Sequence, residues 1–309
     1  MSVGVTVGPQ SAIEEVAEEG PALEHAVSVV IPAYDEAAHV FEQVQAVRAT
    51  MQATGWTWEI IVVDDGSRDG TAEQAARAEG VRVLRHRKNR GYGAALKRGI
   101  AAARYGWILI TDADGTYPVA AIPRLLAAAS GNDMVVGSRT GTTVRVPLVR
   151  RPPKAFLNWL ASYLAGQRLP DINSGLRLMR ADLVRRYEHL LPSGFSFTTT
   201  ITLAAACNDH QVEYIPIDYH ARLGASKMRP RAAYDFTLLI LRTIVFFNPL
   251  KVFIPLGAAL FLAGVAKFVY DVFLDNLSES AVLALLGALI VWAVGLLADQ
   301  NARIAQHKR

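Results

Sequence analysis

Cysteine is almost absent from the 309-residue sequence, which contains only Cys207. A single cysteine excludes an intrachain disulfide and a metal site built from several thiolates. We therefore expect Cys207 to be a small residue of the hydrophobic core.

Long apolar runs are also scarce at the start, because the first 26 residues contain none suited to a signal peptide and are rich in glutamate. We interpret residues 1–26 as a flexible lead-in, and we expect the domain that follows to remain on the cytoplasmic side. The sequence also lacks internal repeats and low-complexity linkers.

The net charge of +4 is modest, but basic residues gather in two clusters. Neither cluster carries a nucleic-acid reading motif, so we expect no nucleic-acid partner. Basic residues beside a membrane segment more often face lipid headgroups or phosphates. The clusters are Arg145, Arg150, Arg151 and Lys154, and then Arg222, Lys227, Arg229 and Arg231.

Apolar runs without polar alternation recur along the chain, and helical patterns separate them. Such runs are expected of parallel strands that helices cover on both faces. The pattern predicts an α/β fold with a mostly parallel, doubly wound sheet. We place strands at residues 27–33, 59–65, 81–86, 107–111 and 133–138, with further candidates at 174–180 and 212–217.

Two aspartates, Asp112 and Asp114, follow the fourth strand, at the edge where such sheets bind ligands. Alternate residues of an extended strand point the same way, so both carboxylates can aim at one point. A hard divalent cation, shared with substrate phosphates, would relieve their repulsion. An isolated Asp-x-Asp is more often a solvated turn, so the interpretation depends on the other strand ends.

Those other strand ends are also polar, with Tyr34 and Glu36 after the first strand and Arg139 after the fifth. After the second strand, Thr71 and Gln74 fit a capping box that would begin a helix. The stretch KNRGYGAALKRG is glycine-rich and basic, but it lacks the G-x-G-x-x-G of a dinucleotide loop.

Apolar residues concentrate after about Phe236. Residues 232–248 include Asp235 and Arg242, which favours an amphipathic helix lying in the membrane interface over a spanning segment.

Two further segments, 249–270 and 281–298, are each close to the ~20 residues that a bilayer core requires. The loop between them lacks Lys and Arg, whereas Arg303, Lys308 and Arg309 follow the pair. The positive-inside rule then predicts a hairpin in the inner (cytoplasmic) membrane, with both chain ends in the cytoplasm. The alternative is a buried helical hairpin of a soluble domain.

Five stretches, VSVVIPAYDEA, EIIVVDDGSRDGT, NRGYGAALKRGI, TDADGTYP and VVGSR, occur in the order and spacing of a known family. They resemble the family 2 glycosyltransferases with the GT-A fold. The later stretches PDINSGLRLMR and IDYHARLGASKMRP, with the two membrane segments, are similar to polyprenyl-phosphate and dolichyl-phosphate hexose synthases. The resemblance covers residues 27–298 and implies a GT-A catalytic domain over 27–231.

The resemblance also implies roles for individual residues. Asp112 and Asp114 would bind Mg²⁺ or Mn²⁺, and with Arg139, Arg222 and Lys227 they form the implied catalytic group. The implied nucleotide-sugar site comprises Pro32, Tyr34, Glu36, Asp64, Asp65, Asp112, Ala113, Asp114, Arg139, Arg222, Ser226 and Lys227. For the acceptor phosphate we expect contacts from Lys154, Asp171 and Arg229.

One position departs from the family pattern. Archaeal mannose synthases of this type carry a glutamine two residues after the acidic pair, as a further metal ligand, and here that residue is Thr116. The resemblance therefore implies neither metal coordination by Thr116 nor a particular sugar.

The activity implied is inverting transfer of a hexose from UDP-glucose or GDP-mannose to a membrane polyprenyl phosphate, undecaprenyl or dolichyl. One alternative is a processive polysaccharide synthase, although the sequence lacks the Q-x-x-R-W element of those enzymes. A second is a non-catalytic nucleotide-sugar-binding membrane protein, which the intact acidic pair disfavours. The resemblance also suggests a homo-oligomer.

Overall fold

The computed structural model describes residues 25–140, 158–163, 165–194, 196–219, 238, 241–242, 245–274 and 278–307. Several predictions lie outside the described residues. They are those for the lead-in before residue 25, for both basic clusters, for most of the interfacial segment 232–248, and for Lys154, Arg222, Ser226, Lys227 and Arg229.

The described residues form one sheet of seven strands. The strands are β1 (Ala26–Ala33), β2 (Thr57–Asp64), β3 (Val81–Arg85), β4 (Trp107–Ile110), β5 (Met134–Ser138), β6 (Arg177–Arg180) and β7 (Val212–Pro216). Their spatial order is β3-β2-β1-β4-β6-β5-β7. The predicted mostly parallel sheet is confirmed, because four of the six strand pairings are parallel.

Helices cover both faces of the sheet, as predicted. They are α1 (Val40–Gln52), α2 (Thr71–Ala76), α3 (Tyr92–Ala101), α4 (Ile122–Ala127), α5 (Ala181–Tyr187) and α6 (Phe197–Cys207). One core cluster packs α1, α2 and α4 on one face, and a second packs α3, α5 and α6 on the other. Because both faces are covered, the strands bury apolar residues on both sides, which explains their continuous apolar runs.

Strand β6 runs antiparallel to both of its neighbours, β4 and β5. The sequence predicted this strand but not its direction. Because its direction is reversed, β6 begins at the edge of the sheet where β4 and β5 end. The segment 171–176, which leads into β6, therefore lies beside Asp112 and Arg139.

Two long helices follow, α7 (Leu250–Phe273) and α8 (Glu279–His307). Their most apolar windows have mean hydropathies of 2.1 and 2.6, and only 11% and 17% of these windows is buried. By length and composition both can cross a membrane. Their low burial contrasts with a core helix of a soluble protein. Each helix extends beyond the segment predicted from the sequence.

Close packing joins these two helices into a hairpin. A Cβ built at Gly257 would clash with the Trp292 ring, and one at Gly295 would clash with Phe253. The Trp292 indole N–H donates to the Ile254 carbonyl at 3.2 Å. Small residues facing large ones allow this close approach in an apolar solvent.

Candidate active site

A cavity opens at the carboxyl edge of the sheet, beyond the ends of β1, β2 and β4. Most residues predicted for the nucleotide-sugar site line this strand-edge cavity, namely Pro32, Tyr34, Glu36, Asp65, Asp112, Ala113 and Asp114. Asn89, Gly91 and Tyr92 also line it, and the sequence pattern did not identify these as site residues.

A basic groove adjoins the strand-edge cavity and shares Tyr34 and Asn89 with it. Its lining includes Arg68, Arg85 and Lys88. Positive side chains along such a groove favour an anionic ligand that extends from the cavity.

Hydrogen bonds between the loops after β1 and β2 fix the floor of the site. Asp35 has a φ of +52°, a left-handed conformation that aspartate tolerates better than most residues. Its N–H donates to Ser67 Oγ at 3.0 Å, and its Oδ1 accepts from the Arg68 N–H at 3.1 Å. The two loops therefore hold each other in place.

The predicted capping box at Thr71 is wrong. Helix α2 begins at Thr71 itself, after Gly70 with a φ of +88°. The Thr71 hydroxyl donates to Asp69 Oδ1 at 2.5 Å and accepts from the Glu36 N–H at 3.0 Å. The pattern failed because Thr71 joins two loops instead of capping its own helix.

Of the aspartate pair after β2, Asp65 lines the cavity and Asp64 does not. Asp64 is fully buried and accepts from the Ser67 N–H at 2.9 Å. Arg85 Nε lies 3.0 Å from Asp64 Oδ2, an ion pair without hydrogen-bond alignment. The Asp64 carboxylate therefore holds the turn, and Asp65 is the member of the pair that faces the cavity; a nucleotide contact from Asp64 stays a prediction.

Asp65 anchors the glycine-rich loop before α3. Its carboxylate accepts from the N–H groups of Arg90 and Gly91 at 2.9 and 2.7 Å, and it lies 2.6 Å from Nδ1 of the buried His86. Gly91 has a φ of +100°, and a Cβ there would lie 2.5 Å from the Ser193 carbonyl oxygen. Only glycine fits this position.

Asp112 is held between a hydroxyl and a glycine. The Tyr92 hydroxyl donates to Asp112 Oδ1 at 3.0 Å. A Cβ on Gly175 would lie 3.0 Å from both carboxylate oxygens of Asp112. Burial, and then the charge of Asp112, raise the pKa of Tyr92 well above its ordinary value, so this phenol remains a donor.

Asp114 is held by its own turn. Its Oδ1 accepts from both the N–H and the hydroxyl of Thr116, at 3.1 and 2.7 Å. Thr116, the residue that departs from the family pattern, is buried, and its hydroxyl orients the Asp114 carboxylate. Asp112 and Asp114 thus each have one oxygen fixed by a hydroxyl.

Arg139 and Asp171 form a bidentate pair. The Arg139 Nε and Nη2 atoms donate to the Asp171 carboxylate at 2.8 and 2.9 Å, and the Arg139 backbone N–H donates at 3.0 Å. Burial alone would lower the pKa of Arg139, but the hydrogen bonds to Asp171 raise it, so the guanidinium stays charged. The ring of Tyr219 lies 5.4 Å from this guanidinium. Asp171 therefore orients Arg139, and its predicted contact with the acceptor phosphate stays a prediction.

Arg177 is a fully buried residue of the site region that sequence reasoning missed. Its guanidinium donates to the Ser174 carbonyl at 2.5 and 3.0 Å and to the Thr198 carbonyl at 3.1 Å. It therefore joins the segment before β6 to helix α6. The available signal was an arginine inside an otherwise apolar strand pattern.

The side chains present fit a hard divalent cation. Carboxylate oxygens are the ligands that Mg²⁺ and Mn²⁺ prefer, and Asp112 and Asp114 present theirs at the cavity. Across the described residues, no group of three or more His, Cys, Asp or Glu side chains is arranged to hold a metal. The two acids thus provide a partial shell, of the kind that phosphates and water complete for Mg²⁺.

Comparison with known families gives two matches. The family described as glycosyl transferase family 2 matches residues 28–187, and the GtrB C-terminal hairpin matches residues 248–304.

The curated relatives include three transferases that are named for polyprenyl-phosphate substrates. The undecaprenyl-phosphate 4-deoxy-4-formamido-L-arabinose transferase of Pseudomonas paraeruginosa is 32% identical over 80% of this chain and 72% of its own length. The undecaprenyl-phosphate mannosyltransferase of Micrococcus luteus is 31% identical over 65% and 87%. The dolichyl-phosphate beta-glucosyltransferase of Saccharomyces cerevisiae is 27% identical over 65% and 69%.

Solved structures of glucosyl-3-phosphoglycerate synthase from Mycobacterium tuberculosis share the fold. The complex with Mn²⁺, UDP and phosphoglyceric acid superposes with a TM-score of 0.57 at 19% identity, covering 71% of this chain and 78% of that one. The complex with Mg²⁺ and UDP gives 0.55 at 20%, covering 71% and 79%. At this identity the likeness establishes the fold alone.

Proposed function

The chain belongs to glycosyl transferase family 2, and we propose that it transfers a hexose from a nucleoside diphosphate sugar to a membrane polyprenyl phosphate. The observation that carries this proposal is the pair of fixed carboxylates, Asp112 and Asp114, at the mouth of the strand-edge cavity. A metal-bound diphosphate leaving group at this point would be held by carboxylates that are already fixed in position. No reorganisation of these side chains would then be needed during the reaction.

The donor would lie across the strand-edge cavity and the basic groove. Pro32, Tyr34 and Glu36 would line the nucleoside end, and Asp65 would act by holding the backbone of the glycine-rich loop. Tyr34 borders both spaces, so it lies where the base and ribose would enter. Arg222, Ser226 and Lys227 remain proposed contacts to the donor diphosphate.

Asp112 and Asp114 would hold Mg²⁺ or Mn²⁺ together with the donor diphosphate. When bound, the ion supplies Lewis-acid neutralisation of the charge that grows on the leaving group. Tyr92 and Thr116 keep the two carboxylates in one orientation, and Ala113, the buried residue between them in the sequence, lines the cavity.

The acceptor needs positioning more than activation. A phosphate monoester has a second pKa of roughly 6 and is mostly dianionic near pH 7, so it is already a nucleophile. Arg139, held charged by Asp171, would bind it, and Lys154 and Arg229 are proposed to assist. In-line attack opposite the leaving group would invert the anomeric carbon. Positioning of this kind can supply a large share of the rate.

Helices α7 and α8 would hold the domain at the membrane. We propose that they span the bilayer as a hairpin after a cytoplasmic catalytic domain at 27–231 and an interfacial segment at 232–248, with residues 1–26 as the lead-in. The cavity would then lie near the headgroup level, where a polyprenyl phosphate presents its charge. We also propose a homo-oligomer.

A transfer assay tests the proposal. The full-length protein in liposomes would receive polyprenyl phosphate, Mn²⁺ or Mg²⁺ and either labelled UDP-glucose or labelled GDP-mannose, and lipid would be extracted. We expect a labelled glycolipid with one donor, loss of product with Asp114→Asn, and unchanged product with Asp182→Asn, an exposed acid on α5. If neither donor gives product, the same assay would be repeated with the other common nucleotide sugars, and no labelled lipid with any of them would refute the transferase assignment.

A further inference from the structure

The described catalytic domain covers nearly all of its large apolar side chains. In the described part of residues 27–231, the exposed large apolar residues are Trp159 and Tyr163, with 60% and 54% of their surfaces exposed. All others in the described part of the chain are Leu238, residues of α7 and α8, and the residue after α7. The two rings are stacked, with centroids 5.9 Å apart and planes inclined by 13°. We call these two residues the aromatic pair.

The aromatic pair lies on a helix that packs against the start of α7. Residues 158–163 are helical, so Trp159 and Tyr163, four apart, share one face. The opposite face carries Ala161, which is fully buried in a small cluster with Leu203 and, at its margin, Val252 of α7. Only the width of one helix, about 10 Å with side chains, separates the aromatic pair from the first turn of α7.

We infer that the aromatic pair inserts into the interfacial layer of the bilayer beside α7. This inference rests on the membrane location in the proposed function. Trp and Tyr concentrate in this layer because each has an apolar ring and a polar group that remains wet. The polar layer is on the order of 5–8 Å deep on each side of the hydrocarbon core, so a helix that packs against the first turn of a spanning segment lies beside this layer.

A second copy of the chain is a weaker occupant of this surface. A stable protein interface buries about 800 Å² on each partner, and two exposed side chains alone provide far less. A lipid interface has no such minimum area, because each inserted ring contributes separately. The exposure of the pair, next to α7, therefore fits lipid better than protein.

Insertion at this point would also reach the active site. The Asn158 side chain, on the same helix, donates to the Pro170 carbonyl at 2.9 Å. The next residue, Asp171, makes three hydrogen bonds to Arg139. Bilayer contact would thus fix the depth of this helix relative to the membrane surface. Through Pro170 and Asp171 it would also fix the position of Arg139, the residue proposed to bind the lipid phosphate.

Fluorescence quenching tests the inference on the native residue. The chain has five tryptophans, so Trp56, Trp58, Trp107 and Trp292 would be changed to phenylalanine in the full-length protein, leaving Trp159. The variant would be placed in phosphatidylcholine–phosphatidylglycerol liposomes with doxyl groups shallow or deep in the acyl chain. We expect strong quenching by the shallow label, weak quenching by the deep label, and protection from aqueous iodide.

Two matched variants provide controls. A protein that keeps only Trp292, in α8, should be quenched by the deep label, and one that keeps only Trp56, before β2, by neither label. Quenching of Trp159 by iodide alone would overturn the inference. Protection from iodide without quenching by either lipid label would also overturn it, because a protein partner would then cover the pair.

A spin label covers the case in which the four-fold replacement does not fold. Trp159→Cys in a Cys207→Ala background introduces one label at an exposed position, and Glu188→Cys is the control on the same domain. We expect oxygen to relax the label at 159 and a water-soluble nickel chelate to relax the label at 188. Equal access of the chelate to both labels would refute the inference. Neither readout uses catalysis, so failure here is distinguishable from failure of the transfer assay.

Discussion

Replacing Asp171 by asparagine should destabilise the protein although the side chain hardly changes size. Asp171 is 2% exposed, and the Arg139 side chain that it holds is 19% exposed. The asparagine amide would present N–H groups to one arm of the guanidinium, so one hydrogen bond would be lost and the arginine charge left uncompensated. Breaking a buried pair in this way typically costs about 3–5 kcal/mol of unfolding free energy. Because the Arg139 side chain is partly exposed to solvent, we expect the free energy of unfolding to fall by about 3 kcal/mol, the lower end of that range.

A loss of this size is measurable as a melting temperature. For a domain of 150–250 residues, 1 kcal/mol corresponds to about 2–4 °C, so Asp171→Asn should lower Tm by about 6–12 °C. Transfer should also fall, by about 10²-fold in kcat/KM for the lipid acceptor. The reason is that a displaced Arg139 would no longer direct its guanidinium N–H groups at the acceptor phosphate. Nucleotide binding should change little, since Asp171 does not line the strand-edge cavity.

A double-mutant cycle identifies the cause. Arg139→Gln, Asp171→Asn and the double variant would be compared by Tm, with Asp182→Asn as the exposed control 3.5 Å from Arg180. We expect the double variant to be more stable than the sum of the single effects predicts, by about 1–3 kcal/mol. Additive effects, or a Tm for Asp171→Asn equal to that of Asp182→Asn, would refute the reasoning.

Three other changes probe the acids and the lone thiol. Tyr92→Phe removes the donor to Asp112 and should weaken Mn²⁺ binding, measured by calorimetric titration with UDP or GDP, whichever the wild-type protein binds. We expect a loss of about 10–100-fold, as for other outer-shell partners of a metal ligand, and none for Tyr105→Phe at the opposite sheet edge. Gly175→Ala places a Cβ 3.0 Å from both Asp112 oxygens and should reduce transfer with little loss of Tm, and wild-type activity would contradict the close contact. Burial raises the pKa of Cys207 to about 11, so the neutral thiol should resist iodoacetamide at pH 8 until the protein unfolds; rapid native alkylation would contradict this.

The strands and their clustered polar ends were predictable because both depend on local patterns. Continuous apolar runs recur wherever helices cover both faces, and a polar residue after each run lies at the carboxyl edge. Asp112, Asp114 and Tyr34 were found in this way. The direction of β6 could not be predicted, because the apolar pattern of a four-residue strand does not distinguish a parallel from an antiparallel strand.

The supporting residues required tertiary contacts. Asp64 and Asp65 are adjacent and identical, and only the fold shows that one holds a turn and the other the glycine-rich loop. Tyr92 meets Asp112 across 20 residues, and Arg139 meets Asp171 across 32. No periodicity in the sequence records these pairings. Thr116 was noticed as a departure from relatives, but its hydrogen bond to Asp114 became visible only in the structure.

The reversed strand β6 has a consequence for synthesis of the chain. In the described sheet, β5 pairs only with β6 and β7, so it emerges from the ribosome before any of its partners exist. Until β6 is made, β4 and β5 expose unpaired edges, and contacts across long sequence separations form slowly. Asp112 and Asp114 are synthesised before β5, whereas Asp171 and Gly175 are synthesised just before β6. A nascent chain that ends before residue 171 should therefore have the acids without the segment that holds them, and should depend on chaperones until β6 inserts.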